Sequence, residues 1–507
     1  MPSTTRHSSA RPAQLTQRPS PLCPAHFSLL HRSLLQSEQL PLTEVISAPH
    51  IAAILVAEQI DFGHEADAIY TPAITLWGLL SQVFFAHEQR SCLAAVTRIA
   101  ALWAMLGRHV CSTNTGAYCR ARSKITAPAL RRISHEIALR AEEAMRAENV
   151  AIINNSDVER EEMIDAQLCA AQTSGRFLLL DGFTVTAADT PENQAEYPQN
   201  PAQQPGLGFP ILRGVVLLSL ATGMLLDAEI GPYSGKGTGE TALFWKLLLR
   251  LQPGDTLIAD SYYCTYWILA ACQLRGVTVV MRNHHLRKDD LAAAERLHKN
   301  DHEGIWQRPP CPAWMSATDF ATMPAEVRVR LVLVHCDVPG QRTQKLAVVT
   351  TFFDQRLYSA DWIAALYRGR WTVELDIRAI KATLGMDVLR AQSPAMLRTE
   401  LWSCLLVYNL IRHSMLQAAC QGQKSCRQLS FTATLQLLGN LWLASAIVEP
   451  TAELQLLRRQ QQLEIQVGHR PNRFEPRANK RRPKVLALLN KPRWQARLEL
   501  LAASDAS

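Results

Sequence analysis

Leu366-Tyr367-Arg368-Gly369-Arg370-Trp371-Thr372-Val373-Glu374, continuing through Arg378 to Lys381, is the stretch from which the rest of the chain can be read. On a helix turning about 100° per residue, Tyr367, Arg370, Glu374, Arg378 and Lys381 fall within about 80° of one another, and Asp376 falls on the far side. One polar face then gathers a carboxylate, three cations and a phenol. A metal-binding glutamate beside phosphate-binding cations needs that set. The same spacing also suits a solvated helix in which Glu374 pairs with Arg370 or Arg378 one turn away.

Upstream, two aspartates stand where apolar runs stop. Asp181 follows Phe177-Leu178-Leu179-Leu180, and Asp260 follows Leu257-Ile258-Ala259. Carboxylates just past strand ends in an open α/β sheet can share one ion, although an Asp after a strand is more often a turn residue. Between the two lie runs expected to pair as a hairpin, 212–220 and 224–230, around Ala221-Thr222-Gly223. A helix is expected at 240–251, a strand at 256–259, a helix at 267–275 and a strand at 277–281. That alternation predicts an α/β layout with a mixed sheet. Residues 284–344 break it with Pro309, Pro310, Pro312 and Pro324, and read as an inserted subdomain holding a strand at 327–334. Strand character returns at 346–353, and 361–421 reads as mostly helical.

The spacing Tyr367-x2-Arg370-x3-Glu374-x6-Lys381 resembles the Tyr-Arg-Glu-Lys motif of bacterial insertion-sequence transposases of the IS-four family. Asp181-Gly182-Phe183-Thr184, Asp189-Thr190-Pro191-Glu192-Asn193, Asp260-Ser261-Tyr262-Tyr263 and Gly385-Met386-Asp387-Val388-Leu389-Arg390 are similar to the family's text as well, so the resemblance covers roughly 70–497. It implies an RNase H-like catalytic core with a mixed sheet, interrupted by a largely β insertion. It makes Asp181, Asp260 and Glu374 catalytic metal ligands for two Mg²⁺ ions, with Mn²⁺ as a substitute. Tyr367, Arg370 and Lys381 become contacts to transposon-end DNA, and Arg378 shares their face. The implied activity is cleavage at terminal inverted repeats and strand transfer into target DNA, by a homodimer in a synaptic complex. Phe183 departs from the family, which more often has a small hydroxyl residue there. An RNase H-like endonuclease without strand transfer is the alternative, and a DNA-binding derivative without activity is another.

The remainder of the 507 residues sets bounds. Net charge is +8, and the positive charge is uneven. From Arg470 to Arg497 the tail holds ten Lys or Arg and only Glu475 as an acid, so Arg473, Arg477, Lys480, Arg481 and Lys/Arg neighbours such as Arg482 are expected on DNA phosphates; a solvated end is the bland alternative. The expected organisation is a disordered basic extension at 1–36, a helical DNA-binding domain at 37–170, the core at 171–283 and 345–421 around the insertion at 284–344, and a helical, basic region at 422–507. The twelve cysteines form no C-x-x-C pair, which speaks against a zinc finger and for a reduced compartment. The longest apolar run, 401–420, is broken by Arg412 and His413, so no membrane span is expected. Gly235-Lys236-Gly237-Thr238-Gly239 lacks the Ser or Thr after Lys that a phosphate loop needs, so no nucleotide cofactor is expected. Glu240 after it reads as an exposed helix-start acid, with a supporting place behind the metal ligands as the alternative. A bacterial cytoplasmic, nucleoid-associated protein is the consequent expectation.

Overall fold

The computed structural model describes residues 48–62, 69–87, 89–105, 112–155, 175–284, 287, 294–336, 344–440, 442, 452–466 and 490–505. The expected extension at 1–36 and the tail residues Arg473, Arg477, Lys480, Arg481 and Arg482 lie outside them.

Helices α1 (Ala48–Ala57), α2 (Pro72–Phe84), α3 (Cys92–Met105), α4 (Thr115–Arg122) and α5 (Ala127–Asn155) come first. Strand β1 (Phe177–Thr186), helix α6 (Pro191–Glu196), the hairpin β2 (Ile211–Ser219) and β3 (Leu225–Pro232), helix α7 (Glu240–Leu247), β4 (Thr256–Ala259), α8 (Tyr266–Leu274) and β5 (Thr278–Arg282) follow. Then come β6 (Glu295–His298), β7 (Asp301–Gln307), α9 (Ala317–Thr322), β8 (Glu326–Cys336) and β9 (Gln344–Thr350). The last part holds α10 (Ala360–Arg368), a 3-10 turn Gly369–Trp371, α11 (Thr372–Arg378), a π turn Ala379–Thr383, and helices α12 (Pro394–Gln421), α13 (Phe431–Asn440), α14 (Ala452–Glu464) and α15 (Arg493–Asp505).

The nine strands form one mixed sheet in the order β3-β2-β1-β4-β5-β9-β8-β7-β6. β1 pairs antiparallel with β2 and parallel with β4, and β4 pairs parallel with β5. The strands of the 284–344 segment continue this sheet beyond β9. The turn of the β2–β3 hairpin needs Gly223, which stands at φ 73°, a backbone that only glycine adopts freely.

Two sequence expectations change. Asp181 lies in the middle of β1, because the alternation of buried Phe183 and Val185 carries the strand on to Thr186. Its partner β4 is what ends, at Ala259. The second is a refinement: the stretch expected as mostly helical at 361–421 is so, in pieces, with a 3-10 turn before Glu374, a π turn after it and a non-helical link up to Pro394.

Helix α12 is buried along nearly its whole length, from Leu397 to Ala419, as an all-round apolar helix must be. The run that came nearest to a membrane span is therefore the central helix of the core. Among the described residues no helix is long and apolar enough to cross a membrane. Asn409 of α12 serves the outward backbone groups of β3: Leu225 N–H donates to its Oδ1 at 2.8 Å, and its Nδ2 donates to Leu225 O at 2.8 Å. A strand edge left bare would be costly, and this side chain closes part of it. Arg131 of α5 turns toward the sheet. It bonds Asp227 through Nε at 2.7 Å and Nη2 at 2.8 Å, tying α5 to β3.

Candidate active site

The β1–β4 register builds the site. Leu179 stands opposite Ile258, so two residues further along both chains Asp181 comes opposite Asp260. Neighbouring strands lie about 4.8 Å apart, and side chains at matched positions of parallel strands leave the sheet on one face. Since β4 has ended, Asp260 opens the turn Ser261-Tyr262-Tyr263, and its Oδ1 accepts from Tyr262 N–H at 2.8 Å. Gly182 N–H donates to Asp181 Oδ1 at 2.8 Å.

Burial pushes the Asp181 carboxyl up to about 6. The neighbouring Asp260 and Glu240 carboxylates push in the same direction, while the Gly182 amide and the Arg370 guanidinium oppose them. Asp181 is thus an acid whose ionisation is disfavoured mainly by its burial.

Glu374 reaches this pair only through Arg370. Arg370 Nη2 donates to Glu374 Oε1 at 3.2 Å, so the i,i+4 ion pair foreseen as an alternative is present. The Glu374 side chain is 57% exposed and that of Arg370 is 11%. Among the described residues no three His, Cys, Asp or Glu side chains converge closely enough to hold a metal ion. Asp181, Asp260 and Glu374 do not form such a group. Tyr367 does not share an open polar face with Glu374. It is buried against Trp371, and burial pushes its phenol up to about 12, with Arg370 opposing. Arg378 is exposed and Lys381 half-buried, and neither forms an ion pair among the described residues.

Asp376, two residues beyond Glu374, does lie on the far side. It is fully buried and takes Arg412 of α12 on one oxygen and Arg427 on the other. Arg427 also donates to Ser219 O at 2.7 Å and Leu220 O at 3.0 Å. The buried network pins α11 to the β2–β3 hairpin and to α12.

Phe183 fits without distortion. Its ring covers Gly214, its cross-strand partner, where any Cβ would come within 2.3 Å of the ring. Trp306 is buried beneath Arg287, while Trp314 is exposed beside Trp245 and Trp267.

Glu240 was read as exposed, and the structure turns it inward. The Tyr263 hydroxyl donates to its Oε2 at 3.1 Å, and a Cβ on Gly182 would lie 2.3 Å from its Cδ. A glycine directly after Asp181 was the available signal, but nothing local links it to residue 240.

Three comparisons with known proteins bear on this site. Residues 172–410 match the transposase DDE domain family, a span that holds Asp181, Asp260 and Glu374. Transposase InsG for insertion sequence element IS4 of Escherichia coli (strain K12) is 28% identical over 250 residues, 48% of this chain and 52% of that protein. The chain spans about half the length of the curated relatives it matches. A piggyBac transposase synaptic complex with hairpin DNA, solved by cryo-electron microscopy, aligns with a TM-score of 0.39 and 9% identity, over 88% of this chain and 86% of that one. A score that low carries no argument about fold. The family match and the InsG relative agree with each other: over about half of its length the chain is similar to IS4-type DDE transposases.

Proposed function

We propose that this protein is a metal-dependent DNA transposase that cleaves the terminal inverted repeats of its own element and joins the freed 3′ ends to target DNA. The observation that carries the reading is that Asp181, two residues past the parallel β1–β4 pairing, and Asp260, directly after β4, stand at the same end of that strand pair, inside the segment that matches the DDE domain. We read β1 to β5 with α7 and α8 as an RNase H-like core, 284–344 as its insertion, and the first helices with the basic tail as DNA-binding parts. Two copies are proposed to synapse two ends.

The donor set suits Mg²⁺ or Mn²⁺, because it consists of carboxylate oxygens with no thiolate or imidazole beside them. Asp181, Asp260 and Glu374 are the residues that would hold two ions. When bound, such ions acidify water and stabilise charge developing on phosphate oxygens. The chain's own groups do the rest. Asp181, with its carboxyl near 6, is readily ionised at neutral pH and attracts cations strongly. Arg370 neutralises part of this charge and keeps Glu374 within reach of it. Arg378 and Lys381 leave free cationic heads for DNA phosphates, as the tail arginines do in this reading.

The test is cleavage of a labelled duplex bearing the element's own end, with Mg²⁺, by wild type and Glu374→Gln. End-specific nicking followed by joined product in wild type, lost in the variant, supports the proposal. Nicking without joining would indicate an endonuclease, and binding without cleavage by either protein would indicate a DNA-binding derivative.

A further inference from the structure

We propose that Arg90, in the link between α2 and α3, is a positioning residue for the active site, fixing the segment 385–391 through which the glutamate arm returns to the strand that carries Asp181. The inference rests on the transposase reading above. Arg90 lies outside 172–410, the span matched to the DDE domain.

The segment is laced to the end of β1. Thr186 N–H donates to Asp387 O at 3.0 Å, and Leu389 N–H donates to Thr186 O at 2.9 Å. Thr186 and Val388 form a parallel bridge. Asp387 N–H also donates to Lys381 O at 3.2 Å, closing the chain back onto the π turn. One short segment thus joins the arm of Glu374 to the strand of Asp181. The Asp376 pairs hold α11 itself, and this segment sets where the arm ends.

Arg90 grips the segment with its whole fork. Its Nη1 donates to Gly385 O at 2.8 Å and Val388 O at 3.3 Å, and its Nη2 donates to Glu400 Oε1 at 2.6 Å. Glu400, on α12, accepts in turn from Arg390 N–H at 2.9 Å and Ala391 N–H at 2.8 Å on Oε2. Arg90 therefore holds two carbonyls directly and two amides through Glu400, a task for a planar, multiply donating group. The side chains of the pair are only 10% and 19% exposed, so water competes little for these bonds. Gly385 stands at φ 66°, and a Cβ there would lie 3.4 Å from Arg90 Nη1. The His87 ring adds a bond to Thr383 O at 2.9 Å.

The link that carries Arg90 is itself anchored in the first helices. Gln82 Nε2 donates to Arg90 O at 2.8 Å, and Arg98 Nη2 donates to Gln89 O at 2.9 Å. Gln82 and Arg98 are both buried. The first helices thereby set the path of the chain that follows Glu374 and Lys381.

The experiment compares wild type, Arg90→Ala and Arg90→Lys as full chains. It measures affinity for a labelled duplex bearing the element's own end in chelator, the single-turnover cleavage rate at saturating duplex with Mg²⁺, and amide hydrogen exchange of the free protein. Arg90→Ala should slow cleavage about tenfold to a hundredfold, since a small misplacement of a reacting group costs that much, while end affinity stays within about twofold. Exchange should quicken at Leu389, Arg390 and Ala391 and stay unchanged at Leu257 and Ile258 of β4. Arg90→Lys, which can keep the charge pair with Glu400 but not the fork, should fall between the two, and it decides the matter if Arg90→Ala does not fold. A wild-type cleavage rate in the folded variant overturns this inference alone. So does an equal loss of affinity and rate with faster exchange throughout β4, because that is the mark of a merely structural residue. Absence of end-specific cleavage by wild type overturns the transposase reading and this inference with it.

Discussion

Asp181 is held in the β1–β2 ladder and Asp260 follows directly on the end of β4, whereas Glu374 rides a helix of seven residues between a 3-10 turn and a π turn. The ladder leaves Asp181 no freedom to slip, because a one-residue shift would reverse every side chain in a strand buried on its first four positions. The glutamate arm has no such constraint. Short 3-10 and π segments mark places where a helix changes its path, often at functional sites. The two sides of the site therefore have different mechanical characters: a fixed pair, and an arm whose acid is exposed and engaged with Arg370. Asp376 is what keeps that arm from being loose, since its pairs with Arg412 and Arg427 are buried.

The sharpest way to break this contrast is to compare the two acids of α11. Glu374→Gln should lower end cleavage by about 10³-fold or more, the loss of several kcal/mol of transition-state stabilisation. Its effect on folding should stay within about 0.5 kcal/mol, because the side chain is exposed and its i,i+4 pair is weak. Asp376→Ala should do the reverse in folding terms. Leaving Arg412 and Arg427 unpaired in the interior should destabilise by about 3–5 kcal/mol, read from urea or thermal unfolding, and activity should fall only as the folded fraction falls. Equal loss of stability in both variants would remove the distinction between working acid and anchoring acid.

A second prediction concerns the fixed pair. The Asp181 carboxyl is raised from its ordinary 3.8 to about 6, so the folded protein binds this proton more tightly than the unfolded chain does. Without metal, this contribution favours the native state below about pH 4 and is lost as pH rises to about 6. Asp181→Asn removes it. The variant should therefore melt above wild type at pH 7.5 in chelator, and the difference should shrink towards pH 4. A difference independent of pH would mean that burial does not disfavour the Asp181 charge.

Legibility in the sequence follows the same division. The hairpin around Gly223, the strand before Asp260 and the strand at Glu326–Cys336 were readable because apolar patterning and turn residues are local signals. The far-side position of Asp376 was readable as well, since its place opposite Glu374 depends on only two residues of helix. The change to a 3-10 turn before Glu374 and a π turn after it was not, because the sequence there has no proline to announce it. Glu240 was misread for a different reason. Its partners, Gly182 and Tyr263, come from other elements, and only the fold brings them together. The strand end was placed correctly at Asp260 and too early at Asp181, because β1 continues against β2 after β4 has stopped.

The smallest expected effect tests whether the fixed side is as rigid as the register implies. Thr265 caps α8, its hydroxyl oxygen accepting from Ile268 N–H at 3.4 Å, directly after the turn that carries Asp260 and Tyr263. Removing such a cap typically costs about 1 kcal/mol. Thr265→Ala should therefore lower global stability by about that much. If Asp260 is positioned by β4, cleavage by the folded variant should remain within about twofold of wild type, since a shift in the start of α8 would not propagate back through the ladder. If Asp260 depends on the turn and helix that follow it, the same substitution will lower Mn²⁺ affinity and cleavage together, out of proportion to the stability lost. In that case the aspartate side would resemble the glutamate arm, held from one end by a helix cap rather than by strand register.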